Sequence, residues 1–188
     1  MLLDRDGVLN AVVVDPEQGT IDSPLHPAQV VVPAAVPVLV RRLHEAGYLL
    51  SVVTNQPSAA KGKTTRANLE AVHARVLEVV TAGGARIHSS HVCFHRAEDG
   101  CACRKPRPGM LEDALRASGV PASAAWMVGD GVTDVEAGRA AGTRTGFIGP
   151  RKCDACRVLA DRGLEPDWWG EDLGGFVDAL LVGVRRAG

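Results

Sequence analysis

The sequence has no surplus of either charge. Its 21 lysines and arginines are met by 22 aspartates and glutamates, for a net charge of -1. Without a global basic field the chain is poorly suited to a phosphate backbone, so no nucleic-acid partner is expected, although a local basic pocket remains open. Long apolar runs are missing too. None approaches the ~20 residues of a membrane helix, and no membrane partner is expected. The chain opens directly on Met1-Leu2-Leu3-Asp4, without the pattern of a secretory leader. Cysteine is sparse: five in 188 residues make no disulfide framework. Three of the five fall between positions 93 and 103 beside a histidine, which suits a metal in a reducing compartment. The expectation is a cytoplasmic protein. Internal repeats and low-complexity segments are also absent.

What is present is an ordinary globular composition, 46% apolar and 23% charged. A chain of this length buries roughly 70% of its unfolded surface, which fits one domain spanning 1–188. Strands and helices alternate along it. Leu2-Leu3 ends a first strand so short that the chain could begin after its natural start. Apolar spacing predicts a helix over 34–46, ended by Gly47. A buried strand follows over 48–53. An amphipathic helix covers 64–82, with Leu69, Val72, Val76, Leu77 and Val80 on one face. A strand is expected over 91–94 and a helix over 110–118, started by Pro108 and stopped by Gly119. Trp126-Met127-Val128 reads as a strand ending at Gly129-Asp130. The helix after it is entered through a capping-box pattern of Thr133 and Glu136 and ended by Gly142. A strand over 143–148 and a helix capped by Asp172 complete the chain. The proline-rich stretch 14–32 reads as a long functional loop. This alternation predicts an α/β fold, a parallel sheet between helices.

Several polar residues stand where strands should end. Asp4-x-Asp6 places two carboxylates on the turn leaving the first strand, and Gly129-Asp130 with Asp134 ends another. In open parallel sheets ligands bind beyond the carboxyl ends of the strands. Carboxylates brought together repel, and a divalent cation relieves that; hard oxygen ligands in small number suit magnesium. Thr54-Asn55 supplies a hydroxyl and an amide for phosphate oxygens, and Lys105 supplies a positive charge. Separately, Cys93-x-His95-x5-Cys101-x-Cys103 offers three thiolates and one imidazole, a complete tetrahedral zinc set with no open position, hence a structural site. Such a site would stiffen the 93–103 loop and aim Arg104 and Lys105.

These motifs carry a resemblance. Asp4-Arg5-Asp6-Gly7-Val8, Thr54-Asn55, Lys105 and Gly129-Asp130 with Asp134 resemble the haloacid dehalogenase (HAD) superfamily of phosphatases. Cys93-Phe94-His95, Cys101-Ala102-Cys103-Arg104-Lys105-Pro106 and Pro108-Gly109-Met110-Leu111 are similar to its small branch of D-glycero-D-manno-heptose 1,7-bisphosphate 7-phosphatases and histidinol-phosphate phosphatases. The resemblance spans roughly Leu2 to Gly146. It implies a Rossmann-like fold without a separate cap domain and a phosphorylated sugar as substrate. Asp4 is then the nucleophile, and Asp6 the acid and base. Thr54 and Lys105 hold the phosphoryl group, and Asn55, Gln56, Lys61 and Arg104 bind substrate. Magnesium is implied on Asp4, Asp130 and the backbone carbonyl of Asp6, and zinc on Cys93, His95, Cys101 and Cys103. Asp134 is implied to support the water shell of the magnesium.

The chain departs from that pattern in three places. The second motif continues Gln56-Pro57-Ser58-Ala59-Ala60-Lys61-Gly62-Lys63, with lysine where the family has arginine. Gly131 stands where a lysine is frequent, and the 14–27 loop is longer and unlike the family's. All three touch substrate rather than phosphate, so histidinol phosphate stands as the alternative substrate. An inactive zinc-containing interaction module is the alternative of another class. Lys61, Lys63 and Arg107 could hold a second phosphate. Gly62-Lys63-Thr64 lacks the glycine five positions earlier that a nucleotide phosphate loop needs. Cys153 and Cys156 read as ordinary surface thiols. Trp168-Trp169 reads as core or dimer contact, and His26, His44, His73, His88 and His91 as structural or solvated.

Overall fold

Leu2, Val53 and Met127 pack into one apolar cluster, while Leu3, Val52 and Val128 pack into another. Successive side chains of a strand point to opposite faces, so each of these short runs buries both faces. That is why they read as continuous apolar runs rather than as alternation. The computed structural model describes residues 1–15, 19–150 and 154–186. In chain order its elements are β1 (Leu2–Leu3), β2 (Val13–Asp15), β3 (Thr20–Asp22), α1 (Val36–Glu45), β4 (Leu50–Asn55), α2 (Arg66–Thr81), β5 (Ile87–Cys93), α3 (Gly109–Ser118), β6 (Trp126–Gly129), α4 (Val132–Ala140), β7 (Arg144–Ile148), α5 (Asp154–Asp161), β8 (Trp168–Gly170) and α6 (Leu173–Arg186).

Six strands form one parallel sheet in the order β5-β4-β1-β6-β7-β8. Val40 and Leu43 of α1, Val76 and Val80 of α2, and Phe176 and Val177 of α6 cover one face. Met110, Leu111 and Ala114 of α3 and Ala137 of α4 cover the other. Strand β1 has two residues and survives because neighbours flank both its edges. Ser51 N donates to Met1 O at 2.8 Å, Asp4 N donates to Val128 O at 2.9 Å, and the amino group of Met1 donates to Leu49 O at 2.8 Å. The order in which strands are added reverses at this strand: β4 and β5 lie on one side, β6 to β8 on the other. The crevice beyond the carboxyl ends therefore opens beside β1.

Most expected elements are present, displaced by a residue or two. Strand β5 is longer than expected, starting at Ile87. Two expectations need correction. The 14–32 stretch is not one irregular loop, since β2 and β3 pair within it as an antiparallel hairpin. The first turn of α4 is closed by Asp134, not Glu136: Asp134 Oδ2 accepts from Gly131 N at 3.0 Å, and Thr133 already lies inside the helix. Glu136 instead pairs with Arg162. The last helix starts as expected, with Asp172 Oδ1 accepting from Gly175 N at 2.8 Å. Trp168 packs edge-on against Phe176, and Trp169 packs against Phe147. Cys153 lies outside the described residues, as does the side chain of Cys156. Among the described residues no helix is long and apolar enough to cross a membrane.

Candidate active site

Asp4 leaves β1, Thr54 and Asn55 close β4, and Asp130 leaves β6, so all stand at one end of the sheet. Lys105, on the loop between β5 and α3, reaches in among them. Its Nζ lies 3.0 Å from Asp4 Oδ1 and 2.5 Å from Asp134 Oδ1, and donates to Val53 O at 2.9 Å. The Asn55 amide clamps the lysine's backbone from both ends, accepting from Lys105 N at 3.1 Å and donating to Lys105 O at 3.0 Å. Arg5 N donates to Asp4 Oδ1 at 2.7 Å, which orients the carboxylate. Gly7 is required here by space and by backbone. Its φ is 77°, and a Cβ on it would stand 1.9 Å from Asp130 Oδ2.

Asp4, Thr54, Asn55, Lys105, Asp130 and Asp134 line a cavity of about 290 Å³ together with Val12, Ile21, Asp22, Lys61 and Lys63. Five carboxylates (Asp4, Asp6, Asp22, Asp130, Asp134) face three ammonium groups (Lys61, Lys63, Lys105). Burial and then the charge of Asp134 raise Asp4 to about 6, against the pull of Lys105. Burial, then Asp4 and Asp134, raise Asp130 to about 7. Burial disfavours the charge on Lys105, but Asp134 and Asp4 outweigh it and hold the lysine up at about 12. Oxygen atoms of Asp4, Asp130 and Asp134 lie within 4.8 Å of one another. The surplus negative charge and all-oxygen donor set fit a hard divalent cation such as magnesium.

Asp6 stands apart from that group. Arg5, fully buried, donates Nη2 to both its oxygens at 3.0 Å and Nε to Oδ1 at 3.2 Å. Asn10 Nδ2 donates to Oδ1 at 2.9 Å and Gln56 Nε2 to Oδ2 at 2.6 Å. The expected substrate contact of Gln56 is thus corrected: with no exposed surface it lies behind the cavity and touches Asp6 and Thr54. Arg5 and Asn10 were not singled out from sequence. Arg5 stands between the two aspartates, where a buried acidic pair calls for a cation, and that was the available signal.

Arg104 is not among the residues lining this cavity. It lies on an adjoining one of about 220 Å³, shared with Arg96, Arg107 and the wall at Lys105, and its Nη1 donates to His95 O at 3.1 Å. Arg107 is occupied by the carbonyls of Gly100 and Cys101, and Lys63 by Asp22 at 2.5 Å. None of His26, His44, His73, His88 or His91 lines the carboxylate cavity.

The expected zinc residues converge. Cys103 Sγ is 3.3 Å from Cys93 Sγ and 3.4 Å from Cys101 Sγ, Cys93 and Cys101 are 3.7 Å apart, and His95 Nδ1 is 3.3 Å from Cys103 Sγ. Ligands about 2.3 Å from a tetrahedral centre stand about 3.8 Å apart, so the spacing fits zinc with little adjustment. The thiols cannot all ionise unaided. Burial and then the neighbouring thiols push Cys103 up to about 12. Burial works to raise Cys101 as well, yet hydrogen bonds from Cys103, the Arg104 backbone and Cys93 bring it down to about 7. A cation at their centre resolves that conflict.

A family model described as HAD-hydrolase-like matches residues 102–174. The chain is 40% identical over 140 residues to a D-glycero-beta-D-manno-heptose-1,7-bisphosphate 7-phosphatase of Pseudomonas aeruginosa, covering 74% of this chain and 75% of that one. It is 31% identical to the protein of the same name from Bordetella bronchiseptica, over 96% of this chain and 97% of the relative. The crystal structure of D,D-heptose 1,7-bisphosphate phosphatase from B. bronchiseptica, complexed with magnesium and phosphate, superposes with a TM-score of 0.80 at 30% identity, covering 96% and 97% of the two chains. The similarity therefore extends past Gly149 into the segment that supplies β8 and α6, further than the motifs alone reach.

Proposed function

Since the chain belongs to the HAD-like hydrolases, in the family of the heptose bisphosphate phosphatases, we propose that it removes the 7-phosphate of D-glycero-D-manno-heptose 1,7-bisphosphate. The observation that carries the chemistry is one buried lysine held between two carboxylates at a strand end, with Asp130 beside them. Asp4 is the nucleophile. One of its oxygens bonds to phosphorus as the bond from phosphorus to the sugar oxygen breaks, leaving an aspartyl phosphate. Asp6, at the cavity edge, gives its proton to the departing oxygen. It then takes one from the water that attacks the aspartyl phosphate, which releases inorganic phosphate and restores Asp4. Lys105 and the Thr54 hydroxyl hold the phosphoryl oxygens; a charge-spread transition state needs little beyond such positioning and positive charge. Asn55 keeps Lys105 in place. Magnesium held by Asp4, Asp130 and the Asp6 carbonyl would offset charge on the phosphoryl oxygens. Asp134, ion-paired to Lys105, supports that lysine and the metal's surroundings. Zinc on Cys93, His95, Cys101 and Cys103 would be structural.

The test is Asp4→Asn. An amide keeps the shape but cannot form the phosphoenzyme. Turnover should fall by several orders of magnitude, with the circular dichroism spectrum unchanged. Hydrolysis of phosphate esters by Asp4→Asn at near wild-type rate would refute the assignment.

A further inference from the structure

Gln56 does not line the cavity, yet its amide nitrogen touches two groups that do. Nε2 donates to Asp6 Oδ2 at 2.6 Å and to Thr54 Oγ1 at 2.9 Å, and no part of the residue is exposed. A carboxamide nitrogen carries two hydrogens, so one is available to each partner. Thr54 Oγ1 accepts from Gln56, so its own hydroxyl proton is aimed elsewhere, and the cavity that Thr54 lines is the open direction. Asp6 is caught from both sides, with Oδ2 on Gln56 and Oδ1 on Asn10 and Arg5. Its carboxylate is thereby fixed at the cavity edge rather than drawn into the Asp4–Asp130–Asp134 group.

We infer that Gln56 is a positioning residue: one buried amide nitrogen orients the Asp6 carboxyl and the Thr54 hydroxyl together. The donor for the leaving oxygen and the hydroxyl for the phosphoryl oxygens are thus kept in register. This rests on the reading of Asp6 as the acid. Arg5 holds Asp6 too, but it is fully buried, and its loss would leave the Asp6 carboxylate without its cation and endanger folding. Gln56 is neutral, so its bonds can be removed without leaving a charge unpaired.

The experiment compares two phosphate esters. A sugar phosphate needs a proton on its departing oxygen, whereas p-nitrophenolate departs without one. The specificity constant kcat/KM reports events up to that departure and is blind to later hydrolysis of the aspartyl phosphate. Asp6→Asn gives the scale: its loss should reach about 10²–10⁴-fold on the sugar phosphate and be much smaller on p-nitrophenyl phosphate. Gln56→Met keeps the bulk and removes the donors. Both esters should slow, because Thr54 is freed, and the sugar phosphate should lose about tenfold more than the aryl ester. Gln56→Leu, which also lacks the donors and adds no charge, should show the same selectivity and carries the test if the methionine variant does not fold. Equal losses on the two esters in the Gln56 variants, with Asp6→Asn selective, overturn the inference and leave the proposed function standing. Equal losses in Asp6→Asn itself overturn the acid assignment and the inference with it.

Discussion

Asp130 sits where its own charge is disfavoured. Burial and two neighbouring carboxylates raise it from the ordinary 3.8 to about 7, and Asp4 rises to about 6 for similar reasons. Raised carboxyls bind protons more tightly in the folded chain than in the unfolded one. Their contribution to stability is therefore present at low pH and is lost as pH climbs from about 4 through about 7. A divalent cation reverses this, because it binds the ionised forms and competes with the protons. Magnesium at about 100 times its dissociation constant stabilises by about 2.7 kcal/mol, or about 5–10 °C in melting temperature for a chain of this size. The shift produced by magnesium should thus grow between pH 5 and pH 8. Thermal melts with magnesium or with a chelator across that range check it, and a shift independent of pH would show that these carboxylates do not hold the ion.

At the scale of elements, the 93–103 loop depends on its own closure. It brings three thiols and an imidazole together and sends Lys105 to Asp4 and Asp134. Purified protein should retain about one zinc per chain after dialysis against magnesium buffer, measured by elemental analysis. Cys101→Ser should lose that zinc and melt at a clearly lower temperature, since a closed metal site contributes to folding. Active protein without zinc would refute the site. This ligand set was legible because all four residues lie close together in sequence. So were β4, β6, α1 and α2, whose apolar runs and spacing report directly which faces are buried. Other features depended on non-local packing. Gln56 has a polar side chain with no sequence sign of burial, and only the folded structure shows that Asp6 and Thr54 enclose it. The β2–β3 hairpin was hidden because Val14 and Ile21, paired across it, are 61% and 70% exposed and form no buried face. The cap of α4 was misplaced because a glycine preceded by an aspartate resembles a strand end as much as a helix start.

Across the whole molecule, the hairpin and the 56–64 segment frame an open cavity, and the charges on this frame bear on the substrate. A bisphosphate leaves one phosphate outside the catalytic group, and that anion needs a cation. Lys63 already faces Asp22, and Arg107 holds two carbonyls of the zinc loop. Lys61 also lines the cavity, and among the described residues no ion pair or side-chain hydrogen bond engages its ammonium group. Among the described residues it is therefore the unpaired cation of this rim, while Arg104 on the adjoining cavity already gives one nitrogen to His95 O. Histidinol phosphate would place an amine here instead, and its natural partner, Asp22, is taken by Lys63. The heptose bisphosphate should accordingly show the higher specificity constant of the two. Lys61→Ala should raise KM for the bisphosphate by about tenfold, the effect of losing about 1.4 kcal/mol of charge-assisted binding. KM for a heptose 7-monophosphate should change little, because only the bisphosphate uses the contact. Steady-state kinetics on the three substrates decide it. Faster histidinol phosphate turnover at low concentration would reassign the substrate, and equal KM changes for bisphosphate and monophosphate would place Lys61 outside recognition of the second phosphate.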